Sequence, residues 1–323
     1  MAFNFHGLRL GVAAGTAGKP AQGAVEAIGA RLAGLPLDGG PPHDVSFEVR
    51  AGDRHDVSRP ASARPVYEPP LGEVVYADET DRLYIDCSPR LQVVCDPAAG
   101  WAALSAVGPE PADLWLLSHP LFTVPLVEIL KRRGRYGLHA GGVGAAGRAL
   151  LLPGTSGSGK STLTLALARA GFDLLGDDTV FLARRGAELR VLAFPDEFDL
   201  TDQAVAFFPE LCPLLEAPSP PGWRKRQVRA ERAYGTAIAW DCAPAVLVFP
   251  RVAGVPESKL APLPADEALL ELAPNVLLTE PRSSQAHLDV LAELVAASDC
   301  YRLETGTELK EAVRMLGKLL GVP

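Results

Sequence analysis

Leu150-Leu151-Leu152-Pro153-Gly154-Thr155-Ser156-Gly157-Ser158-Gly159-Lys160-Ser161-Thr162 decides the fold. Residues 154–161 read G-x-x-x-x-G-K-S, with the apolar run Ala149–Leu152 before them and the alanine- and leucine-rich run Leu163–Ala170 after them. Strand, glycine loop and helix in that order form the setting a phosphate-binding loop requires. Glycines let the backbone curl so that successive N–H groups point inward at phosphate oxygens. A helix starting near Lys160 adds the positive end of its dipole. Lys160 has the reach for β- and γ-phosphates, and the Ser161 hydroxyl is a ligand for Mg²⁺. A plain glycine turn before a helix would not need the ordered flanks or the Lys-Ser pair.

Downstream, Gly171–Leu182 predicts two short strands with Asp177 and Asp178 between them. Adjacent buried carboxylates repel, so the pair calls for a cation or a division of roles, and a metal beside a triphosphate supplies that cation. A polar Gly-Asp-Asp turn is the bland alternative. Leu189–Phe194 reads as a strand and Pro195–Asp199 as an acidic exit loop, in which Asp196 and Glu197 are either solvated acids or further site contacts. Ala217–Gly222 is a Pro-rich break. The basic cluster Arg224, Lys225, Arg226, Arg229 and Arg232 follows it, as a solvated face or a clamp for an anionic substrate. Ala245–Phe249 is the clearest buried strand. Helices at 265–272, 285–297 and 308–320 and a strand at Tyr301–Leu303 complete the chain.

Upstream, Tyr136–Val143, a turn at Ala145–Gly147 and the strand into the loop predict a β-hairpin that carries His139. Ala112–Arg133 is helical in pattern, interrupted at Pro120 and Pro125. Residues 1–110 are β-rich, with strands at Phe3–Val12, Val45–Arg50, Glu73–Ala77, Arg82–Cys87 and Leu91–Cys95. A helix at Ala21–Leu35 and loops at Leu37–His43 and Pro60–Pro70 separate them. The expected organisation is a β-rich domain over 1–110 and a nucleotide-binding domain over 111–323. The expected fold class is mixed α/β.

The 323 residues carry a net charge of −8, and 48% are hydrophobic, which describes a globular chain rather than a general nucleic-acid or membrane-surface binder. No apolar run is expected to reach the roughly 18 residues of a membrane helix. Five scattered cysteines without a C-x-x-C pair predict reduced thiols and a cytoplasmic protein.

Asp177 lies 17 residues after Lys160, and His139 lies 21 before it. His-x-Gly-Gly-Val, the glycine loop with Lys-Ser, and Gly-Asp-Asp, in that order and spacing, resemble the HPr kinase/phosphorylase family. That family shares its nucleotide-binding core with phosphoenolpyruvate carboxykinases. The likeness covers Gly137–Leu182 well and the rest of the chain to about residue 320 loosely. It implies ATP and Mg²⁺ as cofactors, with phosphate contacts at Gly154, Thr155, Ser156, Gly157, Ser158, Gly159, Lys160, Ser161 and Thr162. Ser161 and Asp178 would hold the metal. Lys160 would neutralise the transferring group, and Asp177 would take the proton of the acceptor hydroxyl. His139 would orient Asp177. Relatives of this type also occur as tailoring kinases beside peptide-modifying machinery, so the implied partner is a peptide or small protein with an acceptor serine. A homo-oligomer is left open, as are a carboxykinase-like or small-metabolite kinase and a non-catalytic nucleotide-binding module. Glu197 is only a positional candidate for that family's second signature, and residues 1–110 do not resemble its regulatory domain.

Overall fold

The computed structural model describes residues 1–15, 19–52, 58–68, 74–108, 110–215 and 225–322. These form two compact units. One holds Met1–Arg135 and Leu278–Ser284; the other holds Tyr136–Pro218, Gly222–Leu277 and Gln285–Pro323. The architecture is mixed α/β, as the alternation of apolar runs and glycine turns predicts.

The first unit is built on an eight-stranded sheet among the described residues, with order β1-β2-β3-β8-β7-β6-β5-β4. Its strands are β1 (Ala2–Phe5), β2 (Leu8–Ala14), β3 (Val45–Gly52), β4 (Arg64–Tyr67), β5 (Val74–Ala77), β6 (Leu83–Ser88), β7 (Leu91–Asp96) and β8 (Trp101–Val107). The single strand expected at Phe3–Val12 is a hairpin, because His6 (φ 49°) and Gly7 (φ 90°) make a left-handed two-residue turn. The expected loop at Pro60–Pro70 contains edge strand β4, where Pro65 is tolerated at the sheet margin. The helices α1 (Lys19–Arg31), α2 (Pro111–Ser118) and α3 (Pro120–Lys131) belong to this unit. Phe122 of α3 packs on Phe47 of β3 with ring centroids 4.5 Å apart. The buried Arg31 guanidinium donates to the Ser118 carbonyl at 2.8 Å and to Thr123 Oγ1 at 2.6 Å, tying α1 to the other two helices. The boundary therefore falls after Arg135 rather than at 110, since α2 and α3 spend their apolar faces on the N-terminal unit. One helical stretch among the described residues, Asp113–Lys131, is long and apolar enough to cross a membrane, contrary to the expectation of none; 67% of it is buried in the fold.

The second unit holds a nine-stranded sheet among the described residues. Its strands are β9 (Tyr136–Leu138), β10 (Ala140–Ala145), β11 (Arg148–Pro153), β12 (Asp173–Gly176), β13 (Val180–Arg185), β14 (Glu188–Leu192), β17 (Asp241–Val252), β18 (Lys259–Pro262) and β19 (Asp299–Thr305). A separate antiparallel pair comprises β15 (Phe198–Thr201) and β16 (Lys225–Val228). The helices are α4 (Lys160–Arg169), α5 (Asp202–Val205), α6 (Ala230–Tyr234), α7 (Ala265–Leu272), α8 (Pro281–Ala296) and α9 (Leu309–Leu319). Period-two alternation sorts the layers. Leu150 and Leu152 of β11 with Val246 and Val248 of β17 pack on Leu163 and Leu167 of α4 and on Ala312 and Leu316 of α9. Ala149, Leu151, Leu247 and Phe249 face the other way, toward Ala268 and Leu272 of α7 and Val290 and Leu294 of α8. The strand that feeds the glycine loop is thus buried on both sides. That explains why it reads as an unbroken apolar run rather than an alternating one.

Candidate phosphate-binding site

Strand β11 pairs in parallel with β17 and antiparallel with β10, which fixes its end at Pro153. The chain then turns through Gly157 (φ 85°) and Gly159 (φ 94°), left-handed positions that favour glycine, and enters α4 at Lys160. A Cβ on Gly154 would stand 2.6 Å from Ser158 Oγ, so a side chain there would displace the Ser158 hydroxyl. Ser158 Oγ itself is buried and has no hydrogen-bond partner. Thr155, Ser156 and Gly157 are exposed, Lys160 is buried, and Ser161 and Thr162 lie between these extremes. The loop thus offers left-handed turns, an orphaned hydroxyl and a buried ammonium at a helix N-terminus. Those features fit a polyphosphate.

Two neighbouring breaks in the sheet bring the other residues to this loop. The expected hairpin forms from β10 and β11, through Ala146 (φ 49°) and Gly147 (φ 75°). β9 does not extend it: it pairs with β13, with Leu138 opposite Val180. β10 pairs with β12, with Gly142 opposite Gly176. The chain therefore crosses from one neighbour to the other at His139, while the partner chain crosses back at Asp177, Asp178 and Thr179. The His139 backbone N–H donates to the Asn275 carbonyl at 2.8 Å. Close packing holds α4 over this notch. A Cβ on Gly141 would overlap Thr164 Oγ1 and approach the Asp177 carbonyl to 3.1 Å.

Lys160 Nζ lies 3.0 Å from Asp178 Oδ1; the lysine side chain is 7% exposed and the aspartate 49%. Asp177 is 1% exposed, accepts a hydrogen bond from Ser161, and keeps its Oδ1 buried without a partner. Burial, together with the charge of Asp178, raises the Asp177 carboxyl well above the usual carboxylate range, against the opposing pull of Lys160 and Ser161. For Asp178 the upward push of its enclosure is outweighed by Lys160 and His139, so it stays below that range. His139 hydrogen-bonds the Asp178 main chain, and burial lowers its proton affinity despite the nearby carboxylate. The ring thus contacts Asp178, the neighbour of the residue that the resemblance implies it orients.

A buried carboxylate with one free oxygen, joined to a helix-start hydroxyl, fits a hard divalent cation. Among the described residues no three His, Cys, Asp or Glu groups converge on a metal site. Mg²⁺ commonly takes only one or two carboxylates and completes its shell with water and phosphate.

Asp199 is the residue that sequence reasoning misplaced. The expected acidic exit loop includes β15, whose Phe198 and Leu200 pack beside Leu165 of α4 and Leu174 of β12. Asp199 alternates with them, is hydrogen-bonded by Gln227, and has a buried Oδ1 without a partner. Burial raises its carboxyl, Lys225 opposes the rise, and Asp178 reinforces it. The apolar–acid–apolar pattern of Phe198-Asp199-Leu200 was the available signal. Two of the five residues of the basic cluster are paired with acids in the β15–β16 region. Arg226 pairs with Asp202 at 2.9 Å, and Arg229 pairs with Glu197 at 3.4 Å and Glu231 at 3.1 Å. Arg224 and the break at Ala217–Gly222 lie outside the described residues.

No family model matches the chain, and no curated protein matches it. Among solved structures, the Hpr(Ser) kinase/phosphatase from Coxiella burnetii aligns with 57% of this chain and 96% of its own, at 12% identity and a TM-score of 0.30. A likeness at that score bears on neither the function nor the roles of these residues.

Proposed function

We propose that the chain is a Mg²⁺-dependent phosphotransferase that moves the γ-phosphoryl group of ATP to a serine hydroxyl of a peptide or small protein. The observation that carries the reading is the buried Asp177 carboxylate, bonded to Ser161 and beside the Lys160–Asp178 pair. Residues 154–162 hold the phosphates through backbone amides and the Lys160 ammonium. Mg²⁺, when bound, screens phosphate charge and fixes the direction of attack. One twin acid would hold it with Ser161. The other receives the acceptor proton as the serine oxygen bonds phosphorus, the bond to the β-phosphate bridge breaks and ADP leaves.

The family resemblance gives Asp177 the proton and Asp178 the metal. The Ser161–Asp177 hydrogen bond supports the reverse division, with Asp177 beside the metal and half-exposed Asp178 toward the acceptor. The serine acceptor itself rests on the family resemblance. A small-anion kinase or carboxykinase-like lyase would want free arginines, and Arg226 and Arg229 are engaged with acids.

Incubation with γ-labelled ATP, Mg²⁺ and candidate acceptors tests the proposal. Label on a peptide serine supports it, label on a small metabolite supports the alternative enzyme, and neither transfer nor hydrolysis leaves a binding module.

A further inference from the structure

Lys160 Nζ has two claimants. One is Asp178 Oδ1 at 3.0 Å; the other is whatever phosphate the glycine loop receives, because Lys160 opens α4 directly after that loop. The two claims are unequal. The Lys160 side chain is 7% exposed and rooted in the first turn of α4, where its carbonyl accepts from Thr164 Oγ1 at 2.8 Å. It has little room to move. The Asp178 side chain is 49% exposed, while His139 hydrogen-bonds its main chain. The carboxylate can therefore swing into solvent while its backbone stays in place. A half-exposed ion pair is worth little, whereas a phosphate adds several charge-assisted contacts at once.

We propose that Asp178 competes with polyphosphate for Lys160: nucleotide binding transfers the ammonium from Asp178 Oδ1 to phosphate oxygen and releases the carboxylate beside His139. This rests on the reading of residues 154–162 as a phosphate loop. Its consequence is binding order. The acid reaches the acceptor hydroxyl only after the nucleotide is in place, which suppresses contact between a free acceptor and an incomplete site.

The test is calorimetric titration of the full chain with ADP in chelator, so that no metal contact contributes. Asp178→Asn removes the competitor and is expected to bind ADP about fivefold tighter than the parent, the factor that corresponds to an ion pair worth about 1 kcal/mol. Asp199→Asn removes the same charge from the same neighbourhood without touching the Lys160 pair, and is expected to gain less than about threefold. Asp178→Glu keeps the charge and should retain parental affinity; melting curves identify any variant that is not folded. An Asp178→Asn affinity equal to or below the parent overturns the exchange, as does an equal gain in both asparagine variants. If the parent binds ADP neither in chelator nor with Mg²⁺, the phosphate-loop reading beneath it fails instead.

Discussion

The Ser161 hydroxyl, one residue into α4, is hydrogen-bonded to the carboxylate of Asp177, one residue beyond the end of β12. A single contact thus joins the glycine loop to the acidic turn and gives the twin aspartates different surroundings. If that pair holds the metal, Ser161→Ala and Asp177→Asn should each lose most of the Mg²⁺ enhancement of ATP binding, a fall of roughly tenfold. Asp178→Asn should keep it. Calorimetry with and without Mg²⁺ reads the difference. Loss in Asp178→Asn alone would restore the assignment that the family resemblance implies.

Asp177 should also be a liability to the fold. Its carboxyl is raised, so the neutral form suits burial. The stability it contributes is present at acid pH, below the ordinary carboxylate value, and is lost as pH climbs through the raised folded value. Asp199 acts in the same direction. Asp177→Asn is therefore expected to stabilise the protein near neutral pH by about 1 kcal/mol, or ~2–4 °C in Tm, with the gain shrinking toward acid. Melting curves across that range decide it; a variant that melts lower at neutral pH would contradict the burial argument.

Two neighbouring arginines should behave differently. Arg229 is buried between Glu197 and Glu231, and removing one partner of a buried pair costs about 3 kcal/mol. Arg226, exposed and paired with Asp202, should cost under about 1 kcal/mol as alanine. Denaturant midpoints of Arg229→Ala and Arg226→Ala would show the contrast. If Arg226→Ala cut nucleotide affinity without loss of stability, the residue would return to the site as a clamp.

Gly176 is fixed by close approach. A Cβ there would stand 2.5 Å from the Thr179 carbonyl and 2.9 Å from the Phe194 carbonyl, both backbone. Phe194 donates to the Leu175 carbonyl at 2.8 Å, so neither strand can withdraw cheaply. Gly176→Ala should cost about 1–3 kcal/mol, by the scale of overpacked cores, and displace Asp177. An alanine variant with parental stability would show that the turn has slack.

Contiguous features were the legible ones. β11, the glycine loop and α4 read directly, since apolar run, loop chemistry and helix lie in one stretch. The Asp177–Asp178 break between two short strands was also legible, but the break at His139 and the neighbours that the strands take were not, because these depend on which strand lies alongside. β9 pairs with β13 and β10 with β12, partners some 30 to 45 residues away in sequence. β8 escaped notice because Trp101–Val107 is small and buried on both faces at Ala102-Ala103-Leu104, so no alternation shows. β15 and β16 were hidden in charge. Asp199 and Lys225 look like solvated residues until their pairing and the burial of Phe198 and Leu200 are known.

The account stands on the Gly154–Thr162 loop holding a nucleotide's phosphates with the Lys160 ammonium. Calorimetric titration of MgATP into the parent and into Lys160→Ala tests that most directly. The expected result is saturable binding by the parent and a loss of at least about a hundredfold in the variant, the loss of a buried charge contact to phosphate. Equal binding by both chains, or none by the parent, would contradict it.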